Sequence, residues 1–313
     1  MKKIAVIDLG TNTFNIIVGQ TDLKGNFNRL VETKIAVKLG EGGINSGFIA
    51  PEPFRRGIEA LDQFKQITND WRVDDVYLFA TSAIRNAQNG NNFVQQVETF
   101  FNWKVRVISG DTEAQLIYYG VRRALDLGEK PLLIMDIGGG STEFIIANNS
   151  QIFWKKSFEI GAARLLERFK PSEPISPLEI EEVFNYMENQ LTELKEAVKL
   201  YQIDVLVGSS GSFDSYADVI LNRYYNGKTL NGATTFVFPM EQFNDTYNLF
   251  ISSNRKERAD IKGLIAMRVD MIVIASLLIR YVVDNFKINE IRLSTFSLKE
   301  GVLWAIQNQI IEK

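Results

Sequence analysis

The 313-residue sequence contains no cysteine and no histidine. Without cysteine there is no disulfide, no thiolate nucleophile and no iron–sulfur or thiolate zinc site. Without histidine, Ser-His-Asp triads, imidazole general bases, HExxH zinc sites and phosphohistidine drop out as well. Any chemistry falls to carboxylates, Lys, Arg, Tyr, hydroxyls, backbone amides and oxygen-bound metals. Long hydrophobic runs are missing too. The strongest, Met271 to Ile279, is flanked by Asp270 and Arg280, and a hydrocarbon core needs about 20 apolar residues. The opening MKKIAVIDLG has too few apolar residues before Asp8 for a secretory leader. Nor is there an excess of positive charge: 35 Lys and Arg stand against 38 Asp and Glu, a net charge of −3. That balance argues against nucleic-acid or anionic-membrane binding driven by bulk charge. The expectation is a soluble, cytoplasmic protein of about two domains.

What is present is an alternation of short β-branched runs with amphipathic stretches, which predicts an α/β fold. Lys3 to Asp8 reads as a strand, LGTNTF as a turn, and Asn15 to Gly19 as a return strand. The same grammar recurs in PLLIMDIGGGSTEFIIAN, with strands at Leu132 to Asp136 and Phe144 to Ala147. A constant offset of 128 residues lays Asp8 on Asp136, Leu9 on Ile137, Gly10 on Gly138 and Asn15 on Glu143. This is a candidate internal duplication: two related α/β domains facing each other across a cleft. Further strands are predicted at Val76 to Ala80, Val105 to Ser109, Val205 to Val207 and Ile291 to Ser294. Helices are predicted at Pro53 to Ile67, Asn92 to Phe101, Thr112 to Leu127, Gly161 to Phe169, Phe213 to Leu221, Met267 to Val283 and Leu298 to Gln307. Ser176, Pro177 and Glu179 form an N-cap, N1 proline and N3 glutamate that open a helix reaching about Leu200. The pattern breaks near Asp126 to Pro131, the best domain boundary.

Three glycine- and hydroxyl-rich turns follow strands: Gly10, Thr11, Asn12 and Thr13; Gly138, Gly139, Gly140, Ser141 and Thr142; and Gly208, Ser209, Gly211 and Ser212 in VGSSGS. Such turns let backbone amides converge without Cβ obstruction, which suits phosphate oxygens. They match neither common phosphate motif. The GKT at Gly227 has Asn222 where a Walker A loop needs its first glycine. A Rossmann fingerprint would run into a helix, whereas the first two turns enter strands. Asp8 and Asp136 sit at strand ends beside the turns and Glu143 opens a return strand. They either cap their own turns or hold a cation such as Mg²⁺ against phosphate. Glu113 opens the helix of TEAQLIYYGV, as a helix-dipole partner or as a general base orienting a water. Arg85, after a strand and a small-residue turn, offers a phosphate fork or a surface ion pair. Lys155, Lys156, Arg164, Arg168 and Lys170 offer a polyanion track or a solvated face.

In order, DLGTNTFNI, ETKIAVKLGEG, ATSAIRNAQN, ISGDTEAQLIYYGV, DIGGGSTEFII, SFEIGAARLLERF, VGSSGS and MRVDMIVIA resemble the exopolyphosphatase and guanosine pentaphosphate phosphohydrolase (Ppx/GppA) family, from about Ile4 to Gly301. The resemblance implies two duplicated domains of the actin, sugar-kinase and Hsp70 kind. Residues 1–124 with 296–313 would form the first domain and 125–295 the second. It also implies that Glu113 is the catalytic glutamate, that Asp136 and Glu143 are metal- and phosphate-site acids, and that Arg85 and Arg268 face phosphate. The implied reaction is Mg²⁺-assisted removal of the terminal phosphate of inorganic polyphosphate. Guanosine pentaphosphate is the alternative substrate. An ATP-dependent kinase or a non-catalytic phosphate sensor are readings of other classes. A homodimer is common in the family. Two departures stand out: Lys299 where the family usually has Arg, and Asn15 where many members have His or Arg. Long members add C-terminal domains with a histidine and aspartate metal module, so this chain reads as a short form.

Overall fold

The structure, a computed structural model, describes residues 2–21 and 27–311. The other residues of the expected first domain, Met1, 22–26 and 312–313, lie outside the described set. Among the described residues no helix is long and apolar enough to cross a membrane.

The first half runs β1 (Lys3–Leu9), β2 (Thr13–Thr21), β3 (Phe27–Ala36), α1 (Pro51–Asp70), β4 (Asp75–Ala80), α2 (Ser82–Arg85), α3 (Gly90–Phe101), β5 (Val105–Val107) and α4 (Gly110–Ala124). The second half runs β6 (Leu132–Ile137), β7 (Thr142–Ala147), β8 (Ile152–Phe158), α5 (Ala162–Phe169), α6 (Pro177–Gln190), α7 (Thr192–Lys199), β9 (Val205–Ser209), α8 (Gly211–Tyr224), β10 (Thr235–Phe238), α9 (Met240–Ser252), α10 (Arg255–Ala259), α11 (Ile272–Asn285), β11 (Glu290–Ser294) and α12 (Leu298–Gln307).

The strands form two mixed sheets, ordered β3-β2-β1-β4-β5 and β10-β11-β9-β6-β7-β8. In each, an antiparallel three-strand meander continues into parallel strands: β1 pairs with β4 and β4 with β5, while β6 pairs with β9 and β9 with β11. One strand order has been laid down twice, with β10 added as an antiparallel edge. The 128-residue offset read from the sequence is also a register, because Asp8 lies opposite Asn15 and Asp136 opposite Glu143 across their hairpins. The fold is therefore the duplicated α/β class that the sequence predicts.

Between the sheets lies a shared apolar layer. Val6 and Ile17 of the first sheet and Ile134, Ile145 and Val207 of the second pack on Leu116, Ile117 and Val121 of α4 and Val302 and Leu303 of α12. Helices α4 and α12 cross at two glycines. A Cβ on Gly301 would overlap the Leu116 carbonyl oxygen, and one on Gly120 would overlap that of Ser297. The obstruction is backbone, so the helices would have to separate. Overpacking of this kind costs about 1–3 kcal/mol or more. We expect Gly301→Ala to lower the thermal midpoint by several degrees, and an unchanged melting curve would show that the crossing tolerates a methyl group.

Two predicted helices differ in extent. The stretch from Ser176 breaks at Leu191 into α6 and α7, yet Val183, Met187, Leu191, Leu194 and Ala197 remain one buried stripe, which is why periodicity did not register the break. The capping box at Ser176 and Glu179 is present. The helix predicted from Met267 starts at Ile272, and residues Ala266–Arg268 form a 3₁₀ turn instead.

Candidate active site

A cavity of about 450 Å³ lies where the C-terminal ends of the central strands of both sheets meet α4. Gly10, Thr11, Asn12 and Thr13 of the first hairpin and Gly138, Gly139, Gly140 and Ser141 of the second line it, with Asp8, Glu113, Asp136, Glu143, Gly211 and Arg268. The two hairpin turns touch. A Cβ on Gly139 would come within 3.2 Å of Asn12 Cβ, and one on Gly140 within 2.6 Å of both Thr11 Oγ1 and Ser82 Oγ. These glycines bring the halves together.

The first residues of α5 fix the second turn. Ala162 N–H donates to Gly138 O at 2.9 Å, Ala163 N–H to Gly139 O at 2.9 Å and Gly161 N–H to Gly140 O at 3.2 Å. A trans peptide points its N–H opposite to its C=O. With those carbonyls drawn to α5, the amides of Gly139, Gly140 and Ser141 face the other way, into a cradle of donors. The first turn is built alike, with Asn12 O accepting from Val37 N–H (3.0 Å) and Lys38 N–H (2.8 Å), and Thr11 O from Gly40 N–H (3.2 Å).

Glu113 stands in the first turn of α4, whose N-cap Ser109 accepts from Thr112 N–H at 3.1 Å. The glutamate is buried, and Arg85 Nη1 donates to its Oε2 at 2.8 Å and to Ile108 O at 3.1 Å. Burial first, and the Glu143 charge second, hold the Glu113 carboxyl well above the usual carboxylate range, against the pull of Arg85. Glu143, 1% exposed, accepts from Ser157 Oγ at 2.6 Å, and burial with the neighbouring Asp136 pushes it up to about 7. Asp136 accepts from Ser210 Oγ at 2.7 Å and from Ser209 Oγ, and is raised by burial. Asp8 accepts from Asn15 Nδ2 at 3.2 Å and is pushed up by burial to about 7, while its enclosed Oδ1 has no partner among the described residues.

Several expected residues lie outside the cavity lining. Gly208 and Ser209 still belong to β9, and a Cβ on Gly208 would overlap the Phe213 ring, so that glycine serves packing. The Thr142 hydroxyl donates to Ile160 O at 3.2 Å inside the core, and Ser212 is buried in α8. Arg85 reaches the cavity only through Glu113, its other side opening on a shallow pocket with Ser109, Lys156, Ser157 and Glu159. Asp8, Asp136 and Glu143 do not close into a single cage: among the described residues no three carboxylates gather around one ligation point. Each is tied to its own hydroxyl or amide donor. The basic track is likewise dispersed, for Lys155 donates to Asp111 O at 2.9 Å, Lys156 pairs with Glu193, and the Arg168 guanidinium lies 4.4 Å from the Tyr186 ring. The GKT stretch is an exposed turn, with Gly227 at φ +73°.

Other lining residues were not singled out in the sequence. Glu32 and Lys34 come from β3, Asp214 from the first turn of α8, and Thr295 and Ser297 from the chain leading to α12. Lys299 also lines the cavity, with its ammonium 3.2 Å from both Glu32 and Glu300. That pairing engages the ammonium with two carboxylates. Burial pushes Asp214 up to about 6 and lowers Lys34. The Arg268 guanidinium packs on Gly211 at the start of α8, and its enclosed Nε has no partner among the described residues.

A family model, the Ppx/GppA phosphatase family, matches residues 16–309. The chain belongs to the Ppx/GppA phosphatase family. Similar solved structures agree with that membership. An exopolyphosphatase from Cytophaga hutchinsonii is 37% identical, covers 98% of each chain and superposes with a TM-score of 0.95. A Ppx/GppA family member from Aquifex aeolicus shares the fold at 23% identity, with a TM-score of 0.81 over 100% of this chain and 99% of its own. A provisionally named exopolyphosphatase of Haemophilus influenzae is 29% identical over 308 residues, 98% of this chain and 92% of its own.

Proposed function

We propose that the chain is an exopolyphosphatase, releasing the terminal phosphate of inorganic polyphosphate to water. The observation that carries the reading is the meeting of Glu113 and two amide-lined turns on one cavity. Support also comes from the 37% identical Cytophaga structure, which is itself an exopolyphosphatase. In this reading the turns at Gly10 to Thr13 and Gly138 to Ser141 bind the oxygens of the terminal phosphoryl group. Glu113, its Oε2 held by Arg85, orients a water with Oε1 and takes its proton as oxygen attacks phosphorus. The bond from that phosphorus to the bridging oxygen breaks, giving phosphate and a chain shorter by one unit. Donors fixed in advance along the turns stabilise the charge gathering on the transferred group. Arg268 and Lys34 meet the following phosphates.

A divalent cation fits these residues. Six carboxylates line the cavity against three cationic side chains, and Asp8 Oδ1 is enclosed without a partner among the described residues. A polyanion entering such a lining requires added positive charge. Mg²⁺ commonly takes one or two carboxylates and completes its shell with phosphate oxygens and water, which suits carboxylates that do not form a three-acid cage. One or two of Asp136, Glu143 and Asp8 would hold it, and its contribution would be to neutralise phosphate charge.

The test is phosphate release by the purified protein with Mg²⁺, given long-chain polyphosphate, guanosine pentaphosphate or ATP. We expect release from polyphosphate that stops on chelation. Preference for guanosine pentaphosphate would move the chain to the alarmone-hydrolysing branch, and binding without release would leave a phosphate sensor.

A further inference from the structure

Glu159 is in neither anion turn and does not line the main cavity, yet it joins the two arms of the site. It sits at the bend after β8 in the second half. Its Oε2 accepts from Ser82 Oγ at 2.7 Å and from Arg164 Nη2 at 2.6 Å, and Arg85 Nη2 is 3.4 Å from its Oε1. Ser82 and Arg85 are the two ends of the single turn α2 in the first half. One carboxylate thus holds that turn at both ends, from across the interface.

The anchoring continues on both sides. Arg164 Nε donates to Gly140 O at 2.9 Å and Nη1 to Ile44 O at 2.9 Å, which ties it to the second anion turn and to the loop before α1. Arg85 Nη1 donates to Glu113 at 2.8 Å. From Gly140 to Glu113 the contacts form one chain through Arg164, Glu159 and Arg85, with charge alternating at every step. The arginines are mostly enclosed, at 13% and 16% side-chain exposure, whereas Glu159 is 43% exposed. A half-exposed ion pair adds little stability. Fixing the direction of Arg85, and through it Glu113, is a different matter, because misplacing a reacting group by about 1 Å can cost 100-fold in rate.

We infer that Glu159 is a positioning residue, which locks the Arg85–Glu113 arm to the Gly138 to Ser141 turn so that water and phosphoryl group are held in one frame. The inference rests on the hydrolase reading of the site and assigns Glu159 no contact with substrate.

The test is Glu159→Gln, which keeps the shape and the Ser82 acceptor but removes the charge. With polyphosphate and Mg²⁺, we expect kcat to fall about tenfold with KM within about twofold, at an unchanged melting temperature. In an Arg85→Gln background, adding Glu159→Gln should cost nothing more, since both changes cut the same chain. Glu159→Asp should recover part of the loss. A change in KM alone, or full additivity with Arg85→Gln, would overturn the inference in favour of a plain interface contact. A crystal structure of Glu159→Gln supplies an arm independent of turnover: Arg85 should leave its 2.8 Å contact with Glu113 or take a second conformer. Arg85 unmoved would overturn the inference. Wild type inactive on every polyphosphate would instead overturn the functional reading and leave the crystallographic arm to decide the positioning role.

Discussion

Glu113→Gln should lower kcat by about 10²- to 10⁴-fold, the range that a positioned general base contributes, while leaving the fold and polyphosphate binding in place. The amide retains an oxygen able to accept from Arg85 Nη1, so the 2.8 Å contact can persist and the anion turns are untouched. What is lost is the ability to take a proton. If Glu113 is the base we propose, it acts in its ionised form, so kcat should rise with pH as it deprotonates. Its proton affinity is raised, first by burial and then by Glu143, so that limb should lie well above the ordinary carboxylate range. In the variant the limb should vanish. Phosphate release measured from pH 5 to 9 for both proteins checks this. A variant within threefold of wild type would remove Glu113 from the chemistry and leave it as a structural partner of Arg85.

Much of this site was legible because its chemistry is built from local sequence. Asp8 with Asn15 and Asp136 with Glu143 are each seven residues apart around a tight hairpin. A hairpin converts sequence spacing into cross-strand register, so the duplication could be read before any tertiary contact was known. Glu113 was legible for a similar reason, since the apolar pattern of TEAQLIYYGV places it in a helix's first turn, where the structure adds Ser109 as the cap. Glu32 and Lys34 lie in the quoted ETKIAVKLGEG stretch and Asp214 just after VGSSGS, yet none of the three stood out as a site residue, because nothing local in those stretches aims a side chain at the cavity. Strand β3 alternates charged and apolar residues weakly, and β8 carries Lys155 and Lys156 amid aromatics, so neither was predicted as a strand. Gly208 shows the opposite failure. Its composition suggested an anion turn, but the Phe213 ring requires a glycine at that point of β9, and composition does not separate a packing glycine from a ligand-facing one. The role of Glu159 was not legible at all, since Ser82 and Arg85 lie more than 70 residues from it in the first half and only the folded interface brings them to Glu159 and Arg164.

Glu143→Gln should make the protein more stable at pH 8 and nearly inactive. The folded-state pKa of Glu143 is pushed up to about 7 from an ordinary 4.5, with burial as the largest cause. A carboxyl whose pKa is raised on folding binds its proton more tightly in the native state. Its contribution to stability is therefore complete below about pH 4.5 and is lost as pH rises through about 7. Above that, the ionised, buried group costs about 3 kcal/mol, at about 1.4 kcal/mol per pKa unit. Glutamine removes this cost and can still accept from Ser157 Oγ, but its amide N–H groups need partners in a site built for acceptors, which returns about 1–2 kcal/mol. The net gain is about 1–2 kcal/mol at pH 8 and turns into a loss of about 1–2 kcal/mol near pH 4, where the wild-type carboxyl is already neutral and only the cost of the amide remains. The variant's melting temperature should thus fall less than that of the wild type between pH 5 and 8. Removing the charge also relieves Glu113 and Asp136, both of which Glu143 faces, so their proton affinities should drop. If the cavity's excess of carboxylates exists to draw in a divalent cation with the substrate, Mg²⁺ should raise the melting temperature of the wild type more than that of the variant. The variant's phosphate release should fall at least 100-fold, in line with the loss of a ligand or well-aimed charge at a phosphoryl site. Equal pH slopes in the two proteins would show that Glu143 already meets compensating charge within the fold. A variant that gains stability and keeps its activity would show that the buried acid serves neither cation nor phosphate.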